Sequence, residues 1–308
     1  MKVNITTSSF GRCSNKPVEL LNNNFTDIKF NKFNRKLTAN ELIEEAKDAD
    51  GIIAGTELYT KRVINSLPNI KVISRLGIGL DNIDIEAAKM KGVKIFTTKT
   101  SPAPAVAELT LSLMLDIARK ISRHHQNIKS GIWKKEMGVL LGKKTLGIIG
   151  LGTIGKALVN LVKGFNFNIL AFDMYHDNKF AKGNKINYCG LNTLLKRSDV
   201  VSIHLNLSNE TKGLIDEKKL NHIKSEAILI NTSRGEIIDE TALFEALKSK
   251  QIAGAGLDVF HQEPYSGPLT TLDNVVLTPH IASYAKEIRV QMEIESVKNL
   301  LKGLNEKK

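Results

Sequence analysis

The stretch TLGIIGLGTIGKAL, residues 145–158, decides the fold of this 308-residue chain. An apolar run ends in three closely spaced glycines, Gly150, Gly152 and Gly155, and a helical pattern follows them. In such a motif the first glycine permits a tight turn, the second lets another molecule approach the backbone, and the third lets helix and strand pack closely. The order of strand, glycine turn and helix predicts the first βα unit of a parallel sheet.

The spacing G-x-G-x-x-G also predicts a bound dinucleotide, because the free N–H groups and positive dipole end of a helix N-terminus attract a pyrophosphate. The next apolar run, NILAFD, ends at Asp173, 18 residues after the last glycine. A carboxylate at this distance accepts hydrogen bonds from the adenosine ribose and repels a 2′-phosphate. Residues 174–176 contain no arginine that would bind such a phosphate. We therefore predict NAD as the cofactor rather than NADP.

Short apolar runs alternate with helical patterns on both sides of this motif. One helix, in residues 38–49, is predicted by a capping box with Thr38 as N-cap and Glu41 three residues later. Most of the runs after the motif are continuously apolar, as expected for strands that helices cover on both faces. The pattern predicts two α/β series, each built on a mostly parallel sheet.

Residues 97–106, TTKTSPAPAV, interrupt this alternation with two prolines and no periodicity, which predicts a hinge or linker. Residues 107–128 then predict one long helix, and we interpret it as a packing helix at a domain or subunit boundary. Its apolar stripe consists of Leu109, Leu113, Ile117 and Ile121. His124 and His125 are interpreted as surface residues, because neighbouring helix positions do not face one metal ion.

The lysine-rich composition is interpreted as a solvated surface. The net charge is +12, but the lysines are scattered among acidic residues and form no dense block, so nucleic acid is not expected as a partner. Cys13 and Cys189 fit neither a disulfide framework nor a zinc spacing, which predicts a reducing compartment and no metal site. The N-terminus lacks a signal-peptide pattern, and no apolar run has bilayer length. We therefore expect a cytoplasmic protein without a membrane partner.

Three polar residues follow predicted strands in the second series: Arg234, Glu263 and His280. Ligands of open parallel sheets bind outside the carboxyl ends of the strands, so the three side chains are expected in one crevice. Histidine exchanges a proton near neutral pH, and a carboxylate on its far nitrogen fixes the tautomer. Arginine binds a carboxylate with two parallel hydrogen bonds. This set suits hydride transfer between a nicotinamide and a 2-keto acid.

Long motifs over most of the chain make it similar to a known family. They are SRLGIGLDNIDIEAA, AVAELTLSLML, GKKTLGIIGLGTIG, INTSRGEIIDETAL, GAGLDVFHQEP and LTPHIAS. The chain resembles the D-isomer-specific 2-hydroxyacid dehydrogenases, the family that includes D-3-phosphoglycerate dehydrogenase. The resemblance implies catalytic roles for Arg234, Glu263 and His280. It implies that the cofactor-binding residues are Gly150, Gly152, Thr153, Ile154, Gly155, Asp173, His204, Thr232, Asp258 and Ala282.

The resemblance also implies the domain organisation. Two Rossmann-like, doubly wound parallel-sheet domains with a cleft between them are expected. Residues 1–98 plus 284–308 would form a flavodoxin-like substrate-binding domain, and residues 99–283 the NAD-binding Rossmann domain. Substrate contacts are implied at Arg75, Ile78 and Gly79, in addition to Arg234 and His280. A homodimer is implied, with the long helix at its interface.

Three departures from the family pattern bear on the substrate and on regulation. Ala54–Gly55 stands where phosphoglycerate enzymes often carry an arginine, so that phosphate anchor is missing. His204–Leu205–Asn206 replaces a common His-x-Pro, which makes the expected role of His204 secondary. The sequence ends at residue 308, and we expect a short form without a C-terminal regulatory domain.

The sequence therefore predicts an NAD-dependent oxidoreductase acting on a small D-2-hydroxy acid or 2-keto acid. Candidate substrates are 3-phosphoglycerate, glyoxylate and hydroxypyruvate. The alternative from another class is an NAD-sensing corepressor-like binding protein, since such proteins retain similar catalytic residues. The sequence leaves open the physiological acid and the direction of the reaction.

Overall fold

Residues 1–305 are described by a computed structural model, and they form short parallel strands and helices in alternation. The strands are β1 Lys2–Ile5, β2 Asp27–Phe30, β3 Gly51–Ala54, β4 Val72–Arg75, β5 Lys94–Thr97, β6 Thr145–Ile149, β7 Asn168–Phe172, β8 Asn187–Tyr188, β9 Val200–Ile203, β10 Ile228–Asn231, β11 Gly254–Leu257 and β12 Val275–Leu277. The helices are α1 Lys16–Asn22, α2 Ala39–Ala46, α3 Lys61–Asn65, α4 Ile85–Met90, α5 Ala103–Arg119, α6 Ile121–Lys129, α7 Thr153–Leu161, α8 Asn178–Gly183, α9 Leu191–Arg197, α10 Glu217–Leu220, α11 Glu240–Lys248 and α12 Lys286–Asn305. None of the described helices is long and apolar enough to cross a membrane.

The chain divides into two compact units. The first unit contains Met1–Ser101 and the chain from Tyr284 onward, and the second contains Pro102–Ser283. Each unit has its own sheet, in which all neighbouring strands are parallel. The prediction of two α/β parallel-sheet domains is confirmed.

The first unit is a five-stranded sheet with the order β2-β1-β3-β4-β5. The predicted capping box is present, because the Thr38 hydroxyl accepts from the Glu41 N–H and the Glu41 carboxylate accepts from the Thr38 N–H. On the opposite face of this sheet, α12 packs against β3, β4 and β5. The approach is close, since a Cβ on Gly51 would lie 2.7 Å from a methyl group of Leu300. A helix from the end of the sequence therefore completes the core of the N-terminal unit.

The second unit is a seven-stranded sheet with the order β12-β11-β10-β9-β6-β7-β8. The chain order reverses at β6, with β7 on one side and β9 on the other. In open parallel sheets ligands bind at such a switch point, outside the carboxyl ends of the strands. The glycine turn that follows β6 lies at this point.

Two predictions from the middle of the chain need correction. The predicted linker contains the boundary between the two units, but it extends too far, because α5 already begins at Ala103. Pro102 is the N-cap of α5 and Pro104 lies in its first turn, where a missing N–H costs no hydrogen bond. The long helix is also interrupted, since Lys120 has left-handed backbone angles (φ 54°, ψ 41°). Asp116 accepts from the Ser122 N–H at 2.8 Å and from the Ser122 hydroxyl, which ends one helix and begins the next. Ile121 is consequently 55% exposed and not part of the buried stripe.

Candidate functional site

The glycine turn after β6 is shaped by contacts that exclude side chains at two of its three glycines. Gly150 has a φ of 96°, and a Cβ there would overlap the carbonyl oxygen of His204. A Cβ on Gly155 would overlap the carbonyl oxygen of Gly150. Gly152 is the N-cap of α7, and a Cβ at this position would meet no protein atom within 4 Å. The second glycine therefore leaves open space at a helix N-terminus, as pyrophosphate binding requires.

Asp173, just past the end of β7, connects this turn to the neighbouring strand. Its Oδ2 accepts from the Leu151 N–H at 2.7 Å, and its Oδ1 accepts from the Tyr175 N–H at 2.9 Å. Each carboxylate oxygen can accept a second hydrogen bond, so both can still bind ribose hydroxyls. A cavity of about 640 Å³ lies at this position, and it is lined by Leu151, Gly152, Lys156, Asp173, Tyr175, His176, Asp177 and Asn178. The residues of this chain thus fit the adenosine half of a dinucleotide.

The segment after β10 is held in place by its own polar side chains. Asn231 donates to the Arg234 carbonyl at 2.9 Å and accepts from the Ser233 N–H at 3.0 Å. The Ser233 hydroxyl donates to the Ile203 carbonyl at 2.5 Å, and the buried Thr232 hydroxyl pairs with that of Thr110 at 3.0 Å. These bonds fix the backbone from which Arg234 projects.

A close contact explains why the residue after Arg234 is a glycine, Gly235. A Cβ at this position would overlap the backbone carbonyl group of Phe260, which lies in the loop after β11. The two loops therefore touch directly, and only glycine permits this contact.

Asp258 fixes the loop that carries the histidine. Its carboxylate is fully buried and accepts from the Thr278 hydroxyl at 2.6 Å, the Ile281 N–H at 2.8 Å and the Ala282 N–H at 2.9 Å. Burial raises the pKa of the Asp258 carboxyl, and these hydrogen bonds oppose that rise. Asp258 and Ala282, both predicted to contact the cofactor, are thus in contact with each other.

His280 and Glu263, two of the predicted catalytic residues, are in direct contact. His280 Nδ1 lies 2.9 Å from Glu263 Oε2 and 3.1 Å from Oε1. The His280 N–H donates to the Asp258 carbonyl at 2.9 Å, and the residue has a φ of 55°. Left-handed angles are uncommon outside glycine, although histidine is among the residues enriched there. The imidazole is therefore oriented by a carboxylate on one nitrogen and by a constrained backbone.

Arg234, Glu263 and His280 lie at one edge of the sheet. They follow β10, β11 and β12, and β11 is paired in parallel with both of its neighbours. This arrangement brings a cation, a carboxylate and an imidazole to the carboxyl ends of adjacent strands.

His204, at the end of β9, lies beneath the glycine turn. Its Nε2 is 2.9 Å from the Ser202 hydroxyl, and its Nδ1 is shielded from solvent with no hydrogen-bond partner among residues 1–305. Burial lowers the pKa of His204 to about 4, so the ring is neutral near pH 7. The contact with the glycine turn is made by the His204 carbonyl group, which lies against Gly150, and the secondary role expected for this residue stays a prediction.

The predicted substrate-binding residues follow β4 in the first unit. Arg75 is only 8% exposed, and its Nη1 donates to the Leu76 carbonyl. A Cβ on Gly77 would lie 2.9 Å from the guanidinium carbon of Arg75. Ile78 is 52% exposed at the tip of this turn, next to the half-buried Gly79. Arg75 thus packs beneath the turn that presents Ile78 and Gly79.

Several interactions that shape the site were not predicted. Asn231 organises the arginine loop, Gly235 permits the contact between loops, and Lys156 lines the adenosine cavity. A usable signal existed for Asn231, because asparagine after an apolar strand commonly closes a local turn through its side chain. Lys156 directly follows the third glycine, and its Nζ lies 2.6 Å from Asp177 Oδ2.

The fold, the glycine turn and the helix N-terminus together define a dinucleotide-binding α/β domain. The family described as "D-isomer specific 2-hydroxyacid dehydrogenase, NAD binding domain" matches residues 111–282, more than half of the chain. The chain belongs to this family, and its second unit carries the family's NAD-binding domain.

Curated relatives agree with this assignment. A D-3-phosphoglycerate dehydrogenase of Methanocaldococcus jannaschii is 40% identical over 87% of this chain and 52% of its own length. A glyoxylate reductase of Thermococcus litoralis is 40% identical over 84% of this chain and 82% of its own length. A hydroxypyruvate reductase of Thermotoga maritima is 38% identical over 91% of this chain and 94% of its own length. The chain spans about half the length of the phosphoglycerate dehydrogenase that it matches.

Solved structures show the same fold. A phosphoglycerate oxidoreductase from Vibrio cholerae superposes with a TM-score of 0.89 at 26% identity, covering 98% of both chains. The apo structure of D-lactate dehydrogenase from Escherichia coli gives a TM-score of 0.84 at 29% identity, covering 98% of this chain and 96% of that one.

The open space at Gly152 yields a direct test of the cofactor site. Gly152→Val should weaken NADH binding by about tenfold or more, because its side chain would occupy the space left for the pyrophosphate. Thermal unfolding should change little, since the added Cβ meets no protein atom within 4 Å. NADH fluorescence titration measures the affinity. The matched control is Gly164→Val, where an added Cβ likewise meets nothing; equal losses of affinity in both variants would contradict the assignment.

Proposed function

We propose that this protein is an NAD-dependent oxidoreductase that interconverts a small D-2-hydroxy acid and the corresponding 2-keto acid. The observation that carries the proposal is the Glu263–His280 pair at 2.9 Å, on the sheet edge that also carries the dinucleotide-binding turn. Membership in the 2-hydroxyacid dehydrogenase family supports it.

His280 acts as the proton carrier in this proposal. With Nδ1 bonded to Glu263, Nε2 is the nitrogen that exchanges a proton with the substrate oxygen. It donates this proton when a keto acid is reduced and accepts it when a hydroxy acid is oxidised. Glu263 is the positioning residue, since it fixes the tautomer and stabilises the imidazolium. When bound, the reduced cofactor NADH would supply the hydride for keto-acid reduction, and NAD⁺ would accept it in the reverse oxidation.

Arg234 is assigned to the substrate's carboxylate and carbonyl oxygen. A guanidinium binds a carboxylate through two parallel hydrogen bonds and stabilises the negative charge that develops on the carbonyl oxygen. Its Nη1 donates to the Ser233 carbonyl at 2.7 Å, which restricts the side chain. Thr232 and Ser233 are small and buried, so their side chains leave space for a nicotinamide nearby.

The preference for NAD over NADP rests on Asp173. Its carboxylate lines the adenosine cavity and would repel a 2′-phosphate. Thr153 and Ile154 form the first turn of α7, and their N–H groups are assigned to the pyrophosphate.

The substrate is proposed as a small 2-hydroxy or 2-keto acid, with 3-phosphoglycerate, glyoxylate and hydroxypyruvate as candidates. Relatives named as D-3-phosphoglycerate dehydrogenase, glyoxylate reductase and hydroxypyruvate reductase are 38–40% identical to this chain. In the first unit, the turn after β4 is assigned to the substrate carboxylate, through the N–H groups of Ile78 and Gly79. Arg75 supports that turn from below.

A panel of keto acids tests the reaction. Purified protein should oxidise NADH in the presence of at least one of glyoxylate, hydroxypyruvate or phosphohydroxypyruvate. His280→Ala should lower kcat/KM by about 10²- to 10⁴-fold, the usual contribution of a general acid–base group. NADH binding should remain nearly unchanged, because the proposed role of His280 is toward the substrate.

His222→Ala provides the control, since His222 lies in the turn after α10 and has no role in the proposed reaction. Unaltered turnover in His280→Ala would refute the mechanism. Absence of NADH oxidation with every acid would refute the proposed function as a whole.

We also propose a homodimer that buries the segment containing α6 and the residues after it. Large apolar side chains are exposed here, with Trp133 at 84%, Met137 at 90% and Leu140 at 78%. Exposed apolar patches of this kind commonly mark protein interfaces. A second copy of the chain is the partner that the family resemblance implies.

Charged substitutions test this interface. Trp133→Lys combined with Leu140→Lys should shift the mass measured by light scattering from that of a dimer to that of the 34.0 kDa chain. The dimer should dissociate because two unpaired lysine charges in each copy would have to leave water for an apolar interface. Met90→Lys, at a residue that is 71% exposed on the first unit, should leave the mass unchanged. A monomeric wild-type protein at micromolar concentration would disprove the dimer.

A cytoplasmic location is part of the same proposal. Cys13 and Cys189 are both free, which suits a reducing compartment.

A further inference from the structure

A buried carboxylate lies at the carboxyl edge of the first sheet. Glu57, in the loop after β3, is only 2% exposed. Its Oε2 accepts from the Gly55 N–H at 2.9 Å and from the Thr6 hydroxyl at 3.1 Å. The Thr6 hydroxyl also lies 2.8 Å from the Tyr59 hydroxyl, which is fully buried. Glu57 is thus a hydrogen-bonded part of the edge and not a mobile surface side chain.

The loop is folded around this carboxylate. A Cβ on Gly55 would lie 2.9 Å from Glu57 Oε2 and 3.0 Å from Oε1, so Gly55 has no room for a side chain. Asn82 donates to the Glu57 carbonyl at 2.6 Å and to the Gly55 carbonyl at 3.2 Å. The carboxylate therefore occupies the space beside Ala54–Gly55, where the phosphate-binding arginine was expected and is missing.

The next loop at this edge is the turn assigned to the substrate carboxylate. Ala54 is paired with Arg75 across β3 and β4, and the Leu76 N–H donates to the Ala54 carbonyl at 2.9 Å. The turn that presents Ile78 and Gly79 thus begins directly beside the loop of Glu57. Ligands of open parallel sheets bind at this edge.

The charges of Glu57 and Arg75 both affect this edge of the sheet, as the neighbouring Tyr59 shows. Burial and then the charge of Glu57 raise the pKa of the Tyr59 hydroxyl well above its usual value, and the hydrogen bond with Thr6 and the charge of Arg75 oppose this rise. The Glu57 carboxylate and the Arg75 guanidinium, which carry opposite charges, thus both lie near this edge. A substrate carboxylate adds a single negative charge, whereas a phosphorylated substrate would add about three.

Coulomb repulsion turns this difference in substrate charge into a large difference in binding. Arg75 offsets the charge of Glu57 before binding, so a bound substrate carboxylate leaves one net negative charge at this edge. With an effective dielectric constant of about 20, a further anionic group roughly 8 Å from that charge is disfavoured by more than about tenfold. A fixed and buried carboxylate cannot turn away or be screened as a surface group can. A neutral hydroxyl or hydrogen substituent on the substrate avoids this repulsion.

We propose that Glu57 determines substrate specificity, by excluding acids that carry a second anionic group in addition to the carboxylate. This inference rests on the proposed function and deepens it. The substrates it selects are singly charged 2-keto acids with a small neutral substituent, such as glyoxylate and hydroxypyruvate.

The test compares two substrates that differ only by a phosphate. kcat/KM for NADH-dependent reduction is measured with hydroxypyruvate and with 3-phosphohydroxypyruvate. Wild-type protein should favour hydroxypyruvate by more than about tenfold. Glu57→Gln should shift this ratio toward the phosphorylated acid by about tenfold, because it removes the charge and keeps an oxygen that accepts from Thr6 and Gly55.

Two further variants separate charge from structure. Glu57→Asp keeps the charge and should keep the preference for hydroxypyruvate. Glu44→Gln removes one charge from an exposed position of α2 and should leave the ratio at its wild-type value. Thermal unfolding of each variant verifies that it is folded.

The outcomes distinguish this inference from the proposed function. A wild-type preference for the phosphorylated acid would overturn the role of Glu57, and this result requires no variant. An unchanged ratio in folded and active Glu57→Gln would overturn it too, while the proposed reaction stands. Turnover of no keto acid by the wild type would overturn both.

Discussion

Parallel hydrogen bonding among β9, β10, β11 and β12 is the constraint on which the candidate active site depends. Because the strands run in the same direction, their carboxyl ends meet at one edge, and residues far apart in the sequence become neighbours. Arg234, Glu263 and His280 reach this edge from three different strands. The loops are then joined by direct contacts, such as that between Gly235 and Phe260.

A buried carboxylate, Asp258, gives this edge its rigidity. Asp258 has no solvent exposure, and its cost of desolvation is offset by one hydroxyl and two N–H donors from the histidine loop. The His280 backbone is therefore fixed before substrate binds, and Glu263 fixes the ring. Such preorganisation is what general acid–base catalysis requires, since a misplaced proton donor loses most of its effect.

The sequence predicted the repeating framework better than the local geometry. Apolar runs, the capping box at Thr38 and the glycine turn each depend on neighbouring residues, so they were readable from the chain alone. The helix break at Lys120 was missed, because the apolar stripe continued through it and the deciding bond is between Asp116 and Ser122. The burial of Glu57 was also missed, since it depends on a hydrogen bond from Thr6, a residue that follows another strand.

A double-mutant cycle on Glu263 and His280 tests the central claim that the two act as one proton-transferring unit. The measurement is kcat/KM for keto-acid reduction in Glu263→Gln, His280→Ala and the double variant. If Glu263 acts only by positioning His280, its replacement should lower kcat/KM in the wild type but by less than about threefold once the histidine is absent. Losses that multiply in the double variant would show that the two residues act independently, and would contradict the account.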